Sequence, residues 1–145
     1  MFKAISKLFS GKQPETPAPL DSKLAVAALL VHLIDIDGET TKEESDLVSK
    51  VLSEHFDLTS SQVAELIASA HKKDQEAVDF YQFTSIITQL EMSQRVDIIE
   101  MMWKVVFADS HNHEMEDNMV WRVAELIGVS ARDRTILRKT IANQK

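Results

Sequence analysis

No cysteine occurs among the 145 residues. That excludes disulfides, thiolate metal sites and a cysteine nucleophile. It also suits a cytoplasmic protein, which is the expected location. Glycine and proline number three each. Ala, Leu, Val, Ile, Glu and Lys dominate instead, a composition that points to helices. No apolar run reaches the roughly 18 residues that a bilayer span needs. The opening "MFKAISKLFSG" is too short and too interrupted for the apolar core of a signal peptide. No phosphate loop, nucleophile elbow or Ser–His–Asp spacing is present.

Charge is unevenly spread. Residues 1–13 carry Lys3, Lys7 and Lys12 and no acid, and residues 130–145 carry five basic residues against Asp133. With a net charge of −7 overall, the stretch between them holds −14. Such a body repels phosphates, so nucleic acid is not an expected partner. It favours cations or a basic protein partner.

Residues 1–10 form an amphipathic segment, with Phe2, Ile5 and Phe9 at helical spacing and lysines on other faces. Residues 2–9 are expected to be a frayed terminus or a helix docked on its own domain, with weak contact to a membrane surface, at the inner face, as the alternative. Residues 11–20 form a Pro-rich linker. A helical domain then spans 21–143.

Within it, Leu24, Ala27, Ala28, Val31 and Ile34 predict an apolar, central helix over about 21–36. Thr41 and Glu44 read as a capping box opening a second helix, with Leu47, Val48, Val51 and Leu52 as its stripe. Thr59 or Ser60 opens a third. Asp74 is expected to cap a fourth, carrying Val78, Tyr81, Phe83, Ile86, Ile87 and Leu90. Ser93 is expected to open a fifth, through Trp103 and Phe107. A sixth ends at Gly128, and Ser130 caps a seventh with Ile136, Leu137 and Ile141 buried. The fold class is all-α: a compact bundle of about seven helices, plus the short N-terminal amphipathic helix.

The order helix, acidic loop, helix, turn, helix occurs twice. A shift of 72 places Asp37 on Asp109 and Glu44 on Glu116; one deletion then brings Leu58 onto Val129. The bundle therefore has two similar halves. In each, an Asp ends one helix and a Glu follows seven residues later.

Two chemistries fit that spacing. Asp37 can turn toward the free amides of the next helix while Glu44 satisfies Thr41, making a structural clasp that needs no metal. Alternatively the acids hold a hard cation, calcium or magnesium, with water. The match to a standard EF-hand loop fails, because its first position falls on Leu33 and its eighth on Thr40. In the second loop, His111 and His113 join Asp109 and Glu116, a set that suits zinc, nickel or manganese, against the plainer reading of a solvated polar loop with two ordinary histidines. His32 reads as a hydrogen-bonded core or groove residue, and Trp103 and Trp121 as packing anchors.

The stretches "IDIDGETTKEESDLV" and "FADSHNHEMEDNMVWRVAELIGV" resemble the paired "ADG…E" segments of the tellurite-resistance TerB-like family, in an uncharacterised bacterial branch, over about residues 22–143. The second copy departs from the pattern at Ser110. The resemblance implies a compact helical domain with acidic loop residues gathered on one side and a link to tellurite resistance or stress response. Metal binding is suggested for the family; carried over by position, the residues are Asp37, Glu44, Asp109 and Glu116.

The expectation is a non-enzymatic binding module whose acidic loop face takes a divalent cation (Ca, Mg, Mn or Zn) or a basic protein partner. Its candidate ligands are Asp37, Glu44, Asp109, Glu116, His111 and His113. The alternative is a metal-dependent, hydrolase-like enzyme using the second loop.

Overall fold

The computed structural model describes residues 21–36, 38, 40–77, 80–108 and 114–143. The amphipathic segment 1–10 and the linker 11–20 lie outside the described residues, as do Asp37, Val78, Asp109, His111 and His113. Among the described residues there are seven helices and no strand.

The first helix, α1 (Ser22–Asp35), is buried over most of its circumference, from Leu24 through Val31 and again at Leu33 and Ile34. An apolar helix of this kind has no face for water, so it takes the centre of the bundle. Asp21 starts it, its carboxylate accepting the Leu24 amide at 2.9 Å. Helix α2 (Lys42–Phe56) follows the acidic corner, and α3 (Ser60–Glu76) packs on α1. The short α4 (Tyr81–Ile87) links to α5 (Met92–Val106), α6 (Glu114–Leu126) and α7 (Ala131–Asn143).

The two predicted halves are α1–α2–α3 and α5–α6–α7, with α4 between them. Helix α1 packs on α5, α2 reaches across to α5, and α6 reaches across to α1. Each second helix thus touches the first helix of the other half, as expected of a duplicated unit paired with itself. None of the described helices is long and apolar enough to cross a membrane.

The helix ends repeat as well. At the end of α6, Gly128 is left-handed (φ +81); its amide donates to the Glu125 carbonyl at 3.3 Å and that of Val129 to Ala124 at 2.9 Å. At the end of α2, Asp57 is left-handed (φ 55), and the Leu58 amide donates to Ser53 at 3.0 Å. Leu58 and Val129 are the pair that the repeat aligns. Glycine is the residue this position prefers, and a carboxylate there faces the negative end of the helix dipole. Asp57→Gly should therefore stabilise the fold by about 0.5–1 kcal/mol. Gly128→Ala should destabilise it by about 1–2 kcal/mol, because alanine resists positive φ. The added Cβ would also sit 3.4 Å from Arg95 Nη1. Urea melts of the two variants check both signs.

Three expectations need correction. Asp74 caps nothing: α3 continues past it to Glu76, and α4 begins at Tyr81 after Phe80, without a side-chain cap. Helix α5 opens at Met92, not Ser93, with the Gln94 side chain accepting the Glu91 amide at 3.2 Å. Ile136 is exposed, while Ile141 is buried. The face of α7 that would have carried Ile136 inward instead presents Arg134 and Arg138 to aromatic rings.

Candidate functional site

The first acidic corner joins α1 to α2. Helix α1 ends with the Asp35 carbonyl accepting the Gly38 amide at 3.0 Å, and Gly38 is left-handed (φ +80). Thr40 then turns back: its hydroxyl lies 3.0 Å from the Ile34 carbonyl and also within bonding range of the Asp35 carboxylate. Thr41 caps α2, accepting the Glu44 amide on Oγ1 at 3.1 Å, while Glu44 Oε1 accepts the Thr41 amide at 3.0 Å. The capping box predicted from "TKEE" is present in full.

Glu44 is fully buried, with a relative exposure of 0%. One oxygen serves the cap; the other, Oε2, has no hydrogen-bond partner among the described residues. An unmatched buried carboxylate oxygen costs about 1–3 kcal/mol or more. A capping glutamate needs only one oxygen, so the cap does not explain why the second is shut away from solvent. Its neighbours behave differently. Glu43 is exposed, and Asp46 makes an exposed pair with Lys42 at 2.7 Å. That hydrogen bond raises the Lys42 pKa above its ordinary value, but a pair so open to water adds little stability.

The second corner joins α5 to α6. Glu116, the repeat partner of Glu44, is likewise buried, at 1% exposure. Both therefore occupy the same place in their halves: first turn of the second helix, turned inward. Asp117 is held by Arg138 at 2.7 Å, and the Arg138 guanidinium lies over the rings of Trp103 and Phe107 at 5.4 and 5.2 Å. This arginine fixes the start of α6 to α7. Nothing in the local sequence signals it, since the partners are 21 residues apart.

Of the predicted ligands, Glu44 and Glu116 are described and buried. Asp37, Asp109, His111 and His113 lie outside the described residues. Among the described residues, no three His, Asp or Glu side chains gather in a group able to hold a metal ion. A hollow of about 500 Å³ lies between α2, α5 and α7; its lining includes Glu43 and Asp46 but, among the described residues, neither Glu44 nor any residue of α6.

Two further polar contacts escaped sequence reasoning. His32 Nδ1 lies 2.8 Å from Asp74 Oδ1, half-buried, tying α1 to the end of α3. His32 is thus the hydrogen-bonded groove residue expected, but its partner lies 42 residues away. Arg134, almost buried, covers the Trp121 ring at 3.8 Å and donates to the Trp121 carbonyl at 3.1 Å.

Comparison with known proteins gives two findings. The family described as Tellurite resistance protein TerB matches residues 23–139. A protein named Calcium-binding protein CML19, from Arabidopsis thaliana, is 26% identical over 108 residues. That match covers 74% of this chain and 64% of the relative, so the chain spans under two thirds of that protein's length. No solved structure matches.

Proposed function

Since the chain belongs to the TerB family, we propose that it is a non-enzymatic helical binding module whose acidic corners take a hard divalent cation, calcium or magnesium before zinc. One observation carries this reading. Glu44 and Glu116, related by the internal repeat, are both buried at the start of a helix, and Glu44 Oε2 has no partner among the described residues. A carboxylate so placed is suited to an oxygen-loving cation, which takes several oxygens from acids, carbonyls and water. Asp37 in the first half and Asp109 in the second are the acids the sequence register adds; His111 and His113 would soften the second site toward zinc or manganese. The calcium-binding name of the plant relative supports the same chemistry at a distance. The family's description supports a place in a tellurite-resistance-type response; the charge of the acidic face makes a basic protein partner its other occupant.

A hydrolase-like enzyme would need a cleft bringing substrate to the second loop. The hollow between α2, α5 and α7 is lined by Phe107 and Ala108, which lead into that loop, so a metal-dependent hydrolase using the loop is the second reading.

Thermal melting of the full chain with calcium, magnesium, manganese and zinc in turn tests the proposal. A ligand bound only by the native state stabilises it by about 2.7 kcal/mol at a hundredfold excess over Kd. Calcium or magnesium should raise the melting temperature. No rise with any of the four at millimolar concentration overturns the cation reading and leaves the corner as a clasp.

A further inference from the structure

Along the seam where α2 lies beside α5, two hollows of about 500 and 250 Å³ share Lys104 as a common wall. Leu47, Phe107 and Ile141 line the larger; Val51 and Met101 line the smaller. The rim is acidic: Glu43, Asp46, Glu54, Asp97 and Glu100 stand against Lys50 and Lys104, a net −3 with His55 neutral. Of these acids, Asp46 and Glu100 are engaged, among the described residues, in exposed pairs within their own helices, which a competing cation displaces at little cost. The larger hollow therefore has an apolar floor between negative walls, and the smaller continues it with a more polar lining.

The chain itself carries a segment of the opposite kind. Residues 1–13 hold +3 and no acid, and place Phe2, Ile5, Leu8 and Phe9 among Lys3 and Lys7. We propose that the α2–α5 groove is the docking site of residues 2–9 of the same chain. The aromatic and aliphatic side chains would enter the floor, and the two lysines would meet the acidic rim.

The lengths allow it. Lys23 and Leu58 line one hollow, so the start of α1 lies beside the end of α2 and hence near the Glu54 end of the groove. The linker of residues 11–20 reaches about 30 Å when extended by its prolines. From Glu43 to His55 the groove follows α2 for about 18 Å, and eight residues wound as a helix need about 12 Å. The proposal does not depend on cation binding, because neither Glu44 nor Glu116 lines the groove.

The absence of native cysteine makes a disulfide test clean. Ile5→Cys is combined with Lys50→Cys on the groove, or with Gln82→Cys on α4, which packs on α1 and α6 away from the seam; both partner positions are exposed. Under mild oxidation at low salt, the groove pair should form the intrachain disulfide at least fivefold more than the α4 pair. Adding Phe2→Ser and Phe9→Ser should abolish that preference. Equal yields from the two pairs overturn the proposal. Interchain disulfides overturn it in favour of a second copy. Sedimentation with phosphatidylserine vesicles, without groove preference, overturns it in favour of a lipid surface.

Discussion

Glu44→Gln should remove most of the calcium-dependent rise in melting temperature while leaving the metal-free protein within about 1 kcal/mol of the parent. The two halves of this expectation have separate causes. Glutamine serves a capping box as well as glutamate does, and this molecule shows it: Gln62 Oε1 accepts the Thr59 amide at 2.9 Å at the start of α3. The helix start therefore survives. What is lost is the second carboxylate oxygen and its charge, the feature the cap does not use. At a hundredfold excess of calcium over the parent's Kd, the loss amounts to about 2.7 kcal/mol. For a domain of this size that is roughly 10 °C in melting temperature. Glu43→Gln is the control: Glu43 is exposed, and the shift should persist. Differential scanning calorimetry with and without calcium checks both variants. An undiminished shift in Glu44→Gln would remove the first corner from the cation reading even if the protein binds calcium.

Trp103→Ala should be the most damaging single change, costing about 3–5 kcal/mol, or roughly 10–20 °C. Trp103 is fully buried, at 0% exposure, in the last turn of α5, a helix that packs on α7. It stacks on Phe107 with ring centroids 6.1 Å apart. It also underlies Arg138, whose guanidinium holds Asp117 at the start of α6. Removing the indole opens a cavity and takes away the surface on which this pair rests. Trp103→Phe should cost far less, about 1–2 kcal/mol, because Nε1 has no hydrogen-bond partner to lose among the described residues. Guanidinium melts of the two variants separate volume from chemistry. Equal losses would mean the indole nitrogen matters after all.

Local signals were readable in the sequence wherever both partners fell within a few residues. The Thr41–Glu44 box, the Thr59 cap, the Ser130 cap with its 3.1 Å bond from the Asp133 amide, and the Gly128 stop all stand where spacing placed them. The central position of α1 was readable too, because no face of it is polar enough for water. What spacing missed was set by distant partners. Asp74 resembles a cap, but its carboxylate is taken by His32, and α3 runs on beneath it. Ile136 fits a helical stripe with Leu137 and Ile141, yet Arg134 and Arg138 take the aromatic faces that an apolar residue would otherwise cover.

The candidate site divides in the same way. The register of Glu44 and Glu116 was visible as a repeat, but nothing within either loop signals that both side chains are buried. The other predicted ligands, Asp37, Asp109, His111 and His113, lie outside the described residues.

The contrast between the two tryptophans has an optical consequence. The Trp103 indole is sealed away from solvent, while Trp121 is 39% exposed beneath a guanidinium. Emission should therefore split into a blue component that iodide cannot reach and a redder one that it quenches. Arg134 and Arg138 both belong to α7, so lifting that helix would strip the guanidinium from Trp121 and redden the Trp103 component together. Unlabelled protein thus carries two lamps beneath its last helix: a partner seated on the surface at Trp121 would change the red one alone, and release of α7 would change both.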